Sequence, residues 1–317
     1  MLSWISLLTS AAQAASFDCS KAKSSFEKTI CTDPEISTLD KTMANSYGAA
    51  SRVLSDEGKR ILTESQKSWL HFANNVCFKF KNIEASACLN QIYKDRIENL
   101  KTAAMQIGPF MFSRIDYYFS KNDEESGRPY QGRTSYPRID NPLSDALKAW
   151  NVVMAQKSKA EGEGWCDGRP GDVLIDFEVK SATETTISSQ QTNWVYCHGA
   201  PHGYGAVKGI TYVLTPVPHL LTESDLFDPE KSWKDFLTDR CSKVLEKKAD
   251  GTAVDRSQVE QVVTDPHAWS FTNKGLVVTI NPYEVLAYAY GTTEVTISWN
   301  DLEPFLLSNA PIPKFAH

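Results

Sequence analysis

Phe271–Trp299 reads FTNKGLVVTINPYEVLAYAYGTTEVTISW, and this stretch decides the class of fold. Two short apolar runs, Leu276–Ile280 and Val295–Trp299, are rich in β-branched residues and have the length of strands. Asn273-Lys274-Gly275 ahead of them reads as a tight hairpin connection, since glycine takes positive φ freely. Asn281-Pro282-Tyr283-Glu284 between them reads as a turn, because proline fixes φ and gives up its N–H. Glu294–Ser298 alternates polar and apolar residues, as a strand with one face on a core should. Asn300 is expected to cap a closing helix through Asp301, Leu302 and Phe305. Tyr283, Tyr288 and Tyr290 make the connection aromatic, and no catalytic motif is present.

The full chain of 317 residues can bury a sizeable core, and its length suggests two domains. A formal charge of −6 argues against a nucleic-acid binder and permits an acidic surface that meets a basic partner. Residues 1–15, MLSWISLLTSAAQAA, have an apolar core from Leu2 to Leu8 followed by Ala12-Gln13-Ala14, an A-x-A cleavage pattern. The run is too short to span a bilayer, and Ser16-Phe17-Asp18 before Cys19 does not form a lipoprotein box. The expectation is an exported protein, periplasmic or secreted, with residues 1–15 as a signal peptide.

From residue 16 to about 106 the pattern is helical. Ile36, Leu39, Met43 and Tyr47 fall on one helical face, started by Thr32-Asp33-Pro34-Glu35 with Thr32 as the capping residue. A second helix is expected from about Lys59 to Cys77 and a third from near Cys88 through Leu100, giving a small antiparallel bundle. Trp69 and Tyr93 read as its core. Cys77 closes one helix and Cys88 opens the next, so an antiparallel hairpin joins them. Cys19 and Cys31 are harder. One unbroken helix would hold them roughly 18 Å apart, whereas a disulfide tolerates at most about 7 Å between Cα atoms. Either the segment breaks, or Cys19 and Cys31 pair with Cys77 and Cys88.

Ile107-Gly108-Pro109 breaks the helical pattern and sets the expected boundary with a second domain, 107–317, of α+β class. Arg114–Ser120 reads as a strand and Lys121–Gly132 as a solvated loop. Tyr136–Pro142 leads into a helix through Leu143, Leu147, Trp150 and Met154. Asp172–Val179 and Ser188–Tyr196 form a long hairpin. Closing it near Thr183 sets Cys166 opposite Cys197 and leaves Cys241 unpaired and buried in a helix.

Candidate chemistry is sparse. His198 and His202 are the only closely spaced histidines, but His198-Gly199-Ala200-Pro201-His202-Gly203-Tyr204-Gly205 cannot be a helix and shows no companion carboxylate. It reads as a structural turn rather than a metal site. No G-x-S-x-G, H-E-x-x-H or phosphate loop occurs, Asp172 and Asp176 read as the polar face of a strand, and no CxxC is present. No catalytic residue and no cofactor are assigned.

Two resemblances add to this reading. Phe17-Asp18-Cys19, Glu27-Lys28, Ile30-Cys31, Asp33-Pro34-Glu35, Leu39-Asp40, Tyr47, Gln66, Trp69, Cys77, Cys88-Leu89, Tyr93 and Arg96 make residues 16–106 resemble the LprI-type lysozyme inhibitors. F-T-N-K-G-L, N-P-Y-E, Y-A-Y-G and E-V-T-I-S-W, with Tyr196–His202 and Leu221–Phe227, resemble RsiV-type extracellular domains of a lysozyme-sensing anti-sigma factor. The resemblance implies a non-enzymatic envelope protein that binds and inhibits a lysozyme-type muramidase. His198, His202, Tyr204, Tyr283, Tyr288 and Tyr290 are the expected contact residues. The rival expectation is a peptidoglycan-binding module in which Tyr204, Tyr288 and Tyr290 share one sheet face for sugar stacking. A hydrolase with a carboxylate pair in a cleft is a weaker third.

Overall fold

Apolar residues at three- and four-residue spacing put one stripe of each N-terminal helix into a common core. The computed structural model describes residues 15–79, 83–122, 129–160, 166 and 171–312, so the expected leader lies outside them apart from Ala15. The first half of these residues forms α1 (Ser25–Thr32), α2 (Pro34–Val53), α3 (Asp56–Phe78) and α4 (Ala85–Lys101). Ile30, Ile36, Met43, Leu62, Trp69, Leu89 and Tyr93 are buried among them, with Trp69 edge-on to Tyr93 at 5.0 Å.

α1 is a helix beyond the three expected. It buries a single side chain, Ile30, so it carries no periodic signal. Its start is a capping box, in which the Glu27 amide donates to Ser24 Oγ and the Ser24 amide donates to the Glu27 carboxylate. Asp33, not Thr32, caps α2, while the Thr32 hydroxyl turns back to the Lys28 carbonyl. α3 and α4 also begin earlier than the apolar stripe suggested, because Ser55 and Glu84 supply their caps.

The segment from Cys19 to Cys31 breaks. A single 3-10 turn, Cys19–Lys21, ends in extended Ala22 before α1 begins, and Cys19 bridges Cys31 across a Cα separation of 5.7 Å. Cys77 bridges Cys88, and Cys166 bridges Cys197. Cys241 is buried without a bridge, and burial pushes its thiol up to about 12.

The second half contains β1 (Ala104–Ile107), β2 (Phe110–Asn122), β3 (Pro129–Ile139), α5 (Asp145–Ala160), β4 (Gly171–Ala182), β5 (Thr186–Cys197), β6 (Tyr204–Val213) and β7 (His219–Leu220). After these come α6 (Glu223–Leu226), α7 (Trp233–Lys248), α8 (Arg256–Val263), β8 (Trp269–Phe271), β9 (Gly275–Ile280), β10 (Thr293–Ser298) and α9 (Trp299–Leu302). Among the described residues, β1 to β7 form one sheet in sequence order and β10-β9-β8 another. Neighbours run antiparallel except β3 and β4, which pair parallel over three positions, so the large sheet is mixed. The class is α+β: a disulfide-bridged helical bundle followed by a mixed sheet with helices.

Several expectations are corrected here. Lys121, Asn122 and Pro129–Gly132 belong to a long β2–β3 hairpin rather than to a loop, and residues 123–128 lie outside the described set. The run reads as a loop because it is polar, whereas Gly132 pairs with Val173 of β4 and the Gln131 amide donates to Asp172. Ile107-Gly108-Pro109 is the turn of the β1–β2 hairpin, with Gly108 at φ 54°, and α4 ends before it at Lys101. α5 starts at Asp145, leaving Leu143 86% exposed. Ser298 rather than Asn300 caps the closing helix, accepting from the Asp301 amide.

The halves are joined by buried charge. Arg96 of α4 donates from Nη1 to Asp116 Oδ2 of β2 at 2.7 Å, from Nη2 to Ser65 and from Nε to Gln66. Arg114 Nε donates to the other oxygen of Asp116 at 2.6 Å, and Ser135 adds a hydroxyl. Asp140, after β3, accepts from the backbone and hydroxyl of Ser55 and so faces the N-terminus of α3. Gly58 is required there, because a Cβ would sit 2.6 Å from Asp140 Oδ1.

Burial alone would push the Asp116 carboxyl up, but the Arg114 and Arg96 guanidiniums outweigh it and hold it below the ordinary carboxylate range. A carboxyl with a depressed folded-state pKa stabilises above its unfolded value, about 3.9, and loses that contribution as pH falls through the folded value. Asp116→Asn leaves Arg96 buried without its counter-charge and is expected to cost about 3–5 kcal/mol in urea unfolding. The variant should also show a flatter acid limb below about pH 4 than the parent. Cys241, buried and protonated, should react with a thiol reagent only in denaturant.

Candidate functional site

The turn after β5 and the connection after β9 meet at one end of the large sheet. Asn281 makes the junction. Its Oδ1 accepts from the Val207 amide at 2.7 Å and its Nδ2 donates to the Val207 carbonyl at 3.0 Å, so the side chain imitates a neighbouring strand along the edge of β6. The Glu284 carboxylate accepts from the Asn281 amide at 2.6 Å and closes the turn behind it. Tyr283 takes φ 70° within that turn. This is the physical content of the N-P-Y-E run: proline and a positive φ bend the chain, and asparagine fastens it to the sheet.

The fastening stacks rings from both loops. His202 lies over Tyr288 with centroids 4.4 Å apart, and Tyr288 over Tyr283 at 5.6 Å. The Tyr288 hydroxyl donates to the Gly203 carbonyl at 2.9 Å, and His202 Nδ1 pairs with the same carbonyl, which sets the proton on Nδ1. Tyr283 is 59% exposed at the outer end. Tyr290 is exposed in the same 3-10 turn, Tyr288–Tyr290, and Tyr204 is exposed as the first residue of β6. The shared sheet face expected of a glycan-binding module is not formed, because Tyr288 and Tyr290 lie in a 3-10 turn that ends at Gly291 with φ 64° whereas Tyr204 lies on β6.

His198 lies apart from this stack. Its ring neighbours Tyr196, and its Nε2 sits 3.5 Å from Oδ2 of Asp172, which pairs with Tyr196 across β4 and β5. Asp176 likewise is more than a strand's polar face: it accepts from Arg114 at 2.6 Å and from Arg133 at 2.5 Å. Among the described residues no group of three or more His, Cys, Asp or Glu side chains could hold a metal ion. Trp194, stacked on Tyr196 at 6.4 Å and 38% exposed, is the aromatic that sequence reading missed. Only the alternation along β5 could have pointed to it.

A second concavity opens in the helical half. It has a volume of about 500 Å³ and is lined by Phe17, Phe26, Ile30, Met43, Tyr47 and Leu70, with Asp40 among its polar groups. Asp40 accepts from the Tyr93 hydroxyl at 3.0 Å and from the Ser16 amide at 2.7 Å. Burial raises the Tyr93 phenol, which therefore stays protonated and donates.

Residues 19–100 match the family model of the lysozyme inhibitor LprI. Residues 224–300 match the model of DUF3298, a family of unknown function. The chain thus pairs an LprI-like helical half with a DUF3298-like end. The DUF3298 match begins after the His198–Tyr204 turn and takes in the Asn281–Tyr290 connection. Among solved structures, a DUF3298 family protein from Pseudomonas aeruginosa PAO1 is similar at 12% identity and TM-score 0.48, over 65% of this chain and 98% of that one. A DUF3298 family member from Bacteroides fragilis NCTC 9343 is similar at 16% identity and TM-score 0.44, over 65% and 96%. No curated protein matches.

Asn281→Ala removes two hydrogen bonds to the β6 edge and leaves the Val207 amide without its partner. The expected result is a loss of about 1–3 kcal/mol in stability and faster amide exchange at Val207, read by hydrogen exchange.

Proposed function

We propose that this is an exported, non-enzymatic protein that binds a lysozyme-type muramidase and blocks its glycan cleft. The LprI match over residues 19–100 carries the reading. The three disulfides fit an oxidising compartment, and no helix among the described residues is long and apolar enough to cross a membrane. In this reading residues 16–106 form an LprI-type domain and residues 107–317 an RsiV-type domain.

Charge favours the second half as the side that meets the enzyme. Residues 16–106 carry 13 Lys and Arg against 11 Asp and Glu, whereas residues 107–317 carry 20 against 28. The acidic excess therefore lies in the half that bears the aromatic loops, where it would speed encounter with a basic enzyme. His202, Tyr288 and Tyr283, stacked and fastened by Asn281, are pre-ordered aromatic anchors of the kind that dominate interfaces.

The test is titration of the mature chain against c-type, g-type and i-type lysozymes, following cell-wall lysis. Stoichiometric inhibition of one class is expected. No inhibition and no complex on a sizing column would overturn the reading. Tyr288→Ala should weaken the complex by about tenfold or more. Raising the salt should slow association more than it speeds dissociation, which stopped-flow mixing can separate.

A further inference from the structure

β5 carries a second aromatic surface, separate from the Tyr283–Tyr288 stack. Directly paired residues share a face of a sheet. Arg133, Leu174, Trp194 and Gly205 therefore form one row across β3, β4, β5 and β6. Asp172 pairs with Tyr196 on one side of this row and Asp176 with Thr192 on the other. Further along the same face of β5, Ser188 and Gln190 are covered by the small sheet: Phe271 donates to Ser188, and Gln190 donates to Thr279 and Glu294. The cover stops there, leaving Thr192 and Trp194 exposed. On the opposite side the strip is bounded by the Arg114–Asp116 pair that anchors the helical half.

The chemistry of the strip is specific. Trp194 and Tyr196 stack at an interplanar angle of 18° and continue into the His198 ring, giving an aromatic platform whose His198 end lies 3.5 Å from Asp172. Gly203 lies against Trp194, where any Cβ would come within 2.6 Å of the indole, so a bare backbone supports the ring. The charges of Arg114 and Arg133 are already met by Asp116 and Asp176, so neither guanidinium is left for an anion. The acidic excess of this half disfavours a nucleic acid, and the part-exposed Asp172 and Asp176 carboxylates disfavour a purely apolar ligand.

We propose that this strip is a binding site for a neutral saccharide. A pyranose has an apolar C–H face that stacks on Trp194 and Tyr196, and a rim of hydroxyls that both donate and accept. Asp172 and Asp176, both part-exposed beside the rings, accept from the rim. The site stands apart from the lysozyme reading, because its residues and its ligand are different.

The test is calorimetric titration of the intact chain, without any enzyme, with chitotetraose and with cellotetraose as neutral probes. Saturable binding of at least one probe is expected, weakened about tenfold in Trp194→Ala and largely retained in Trp194→Phe. The bound probe should also protect Trp194 of the unmodified protein from oxidation by N-bromosuccinimide, read by peptide mass. That second readout holds even where Trp194→Ala fails to fold. No saturable binding of either probe, equal affinity in a folded Trp194→Ala, or no protection of Trp194 would each overturn the proposal.

Discussion

Asp116 is the constraint on which the rest of this structure depends. It is a carboxylate in the interior, and it persists there because two guanidiniums from different parts of the chain and one hydroxyl satisfy it together. Arg96 comes from the helical bundle, Arg114 from β2 and Ser135 from β3. Removing Asp116 leaves Arg96 buried without its counter-charge, which is far costlier than losing an exposed ion pair. The pair therefore fixes how the bundle sits on the sheet. The same requirement reaches outward, since Arg114 also binds Asp176, which binds Arg133.

That chain of charges leads to the open strip on β3, β4 and β5. The helical half covers the sheet as far as Tyr118 of β2 and the small sheet covers it as far as Gln190 of β5, so the surface between them is open because neither extends over it. The loops at the sheet's edge are built on a different principle. Asn281 completes the edge of β6 with a side chain in place of a strand, which protects the edge and aims the tyrosines outward. One end of the sheet thus presents two aromatic surfaces with different neighbours. The Tyr283–Tyr288 stack stands on a loop, and the Trp194–Tyr196 pair stands on a strand flanked by carboxylates.

Much of the fold was legible in the residues. The α2, α3 and α4 stripes, the β4–β5 hairpin and the β9–β10 pair follow from periodicity, and the N-P-Y-E turn from proline. α1 was hidden because a helix that buries one residue has no period. Most of β3 was hidden because its inward-facing Arg133 and Ser135 are polar and are matched by partners distant in sequence. Of the proposed contacts, the meeting of His202 with Tyr288 and Tyr283 could not be read, since they are held together by one asparagine on a strand it does not adjoin in sequence. Trp194 was passed over for the same reason, as a strand residue whose exposure depends on where another sheet stops.

The sequence by itself determined the class of fold, the order of its helical and sheet halves, and the segments that carry its aromatic residues. Those are local matters of period, turn chemistry and capping. Only the tertiary structure decided which cap each helix uses, where Arg96 finds its counter-charge, and which aromatics share a surface. Each of these depends on groups far apart in the chain meeting at hydrogen-bond distance, and burial then makes that meeting obligatory.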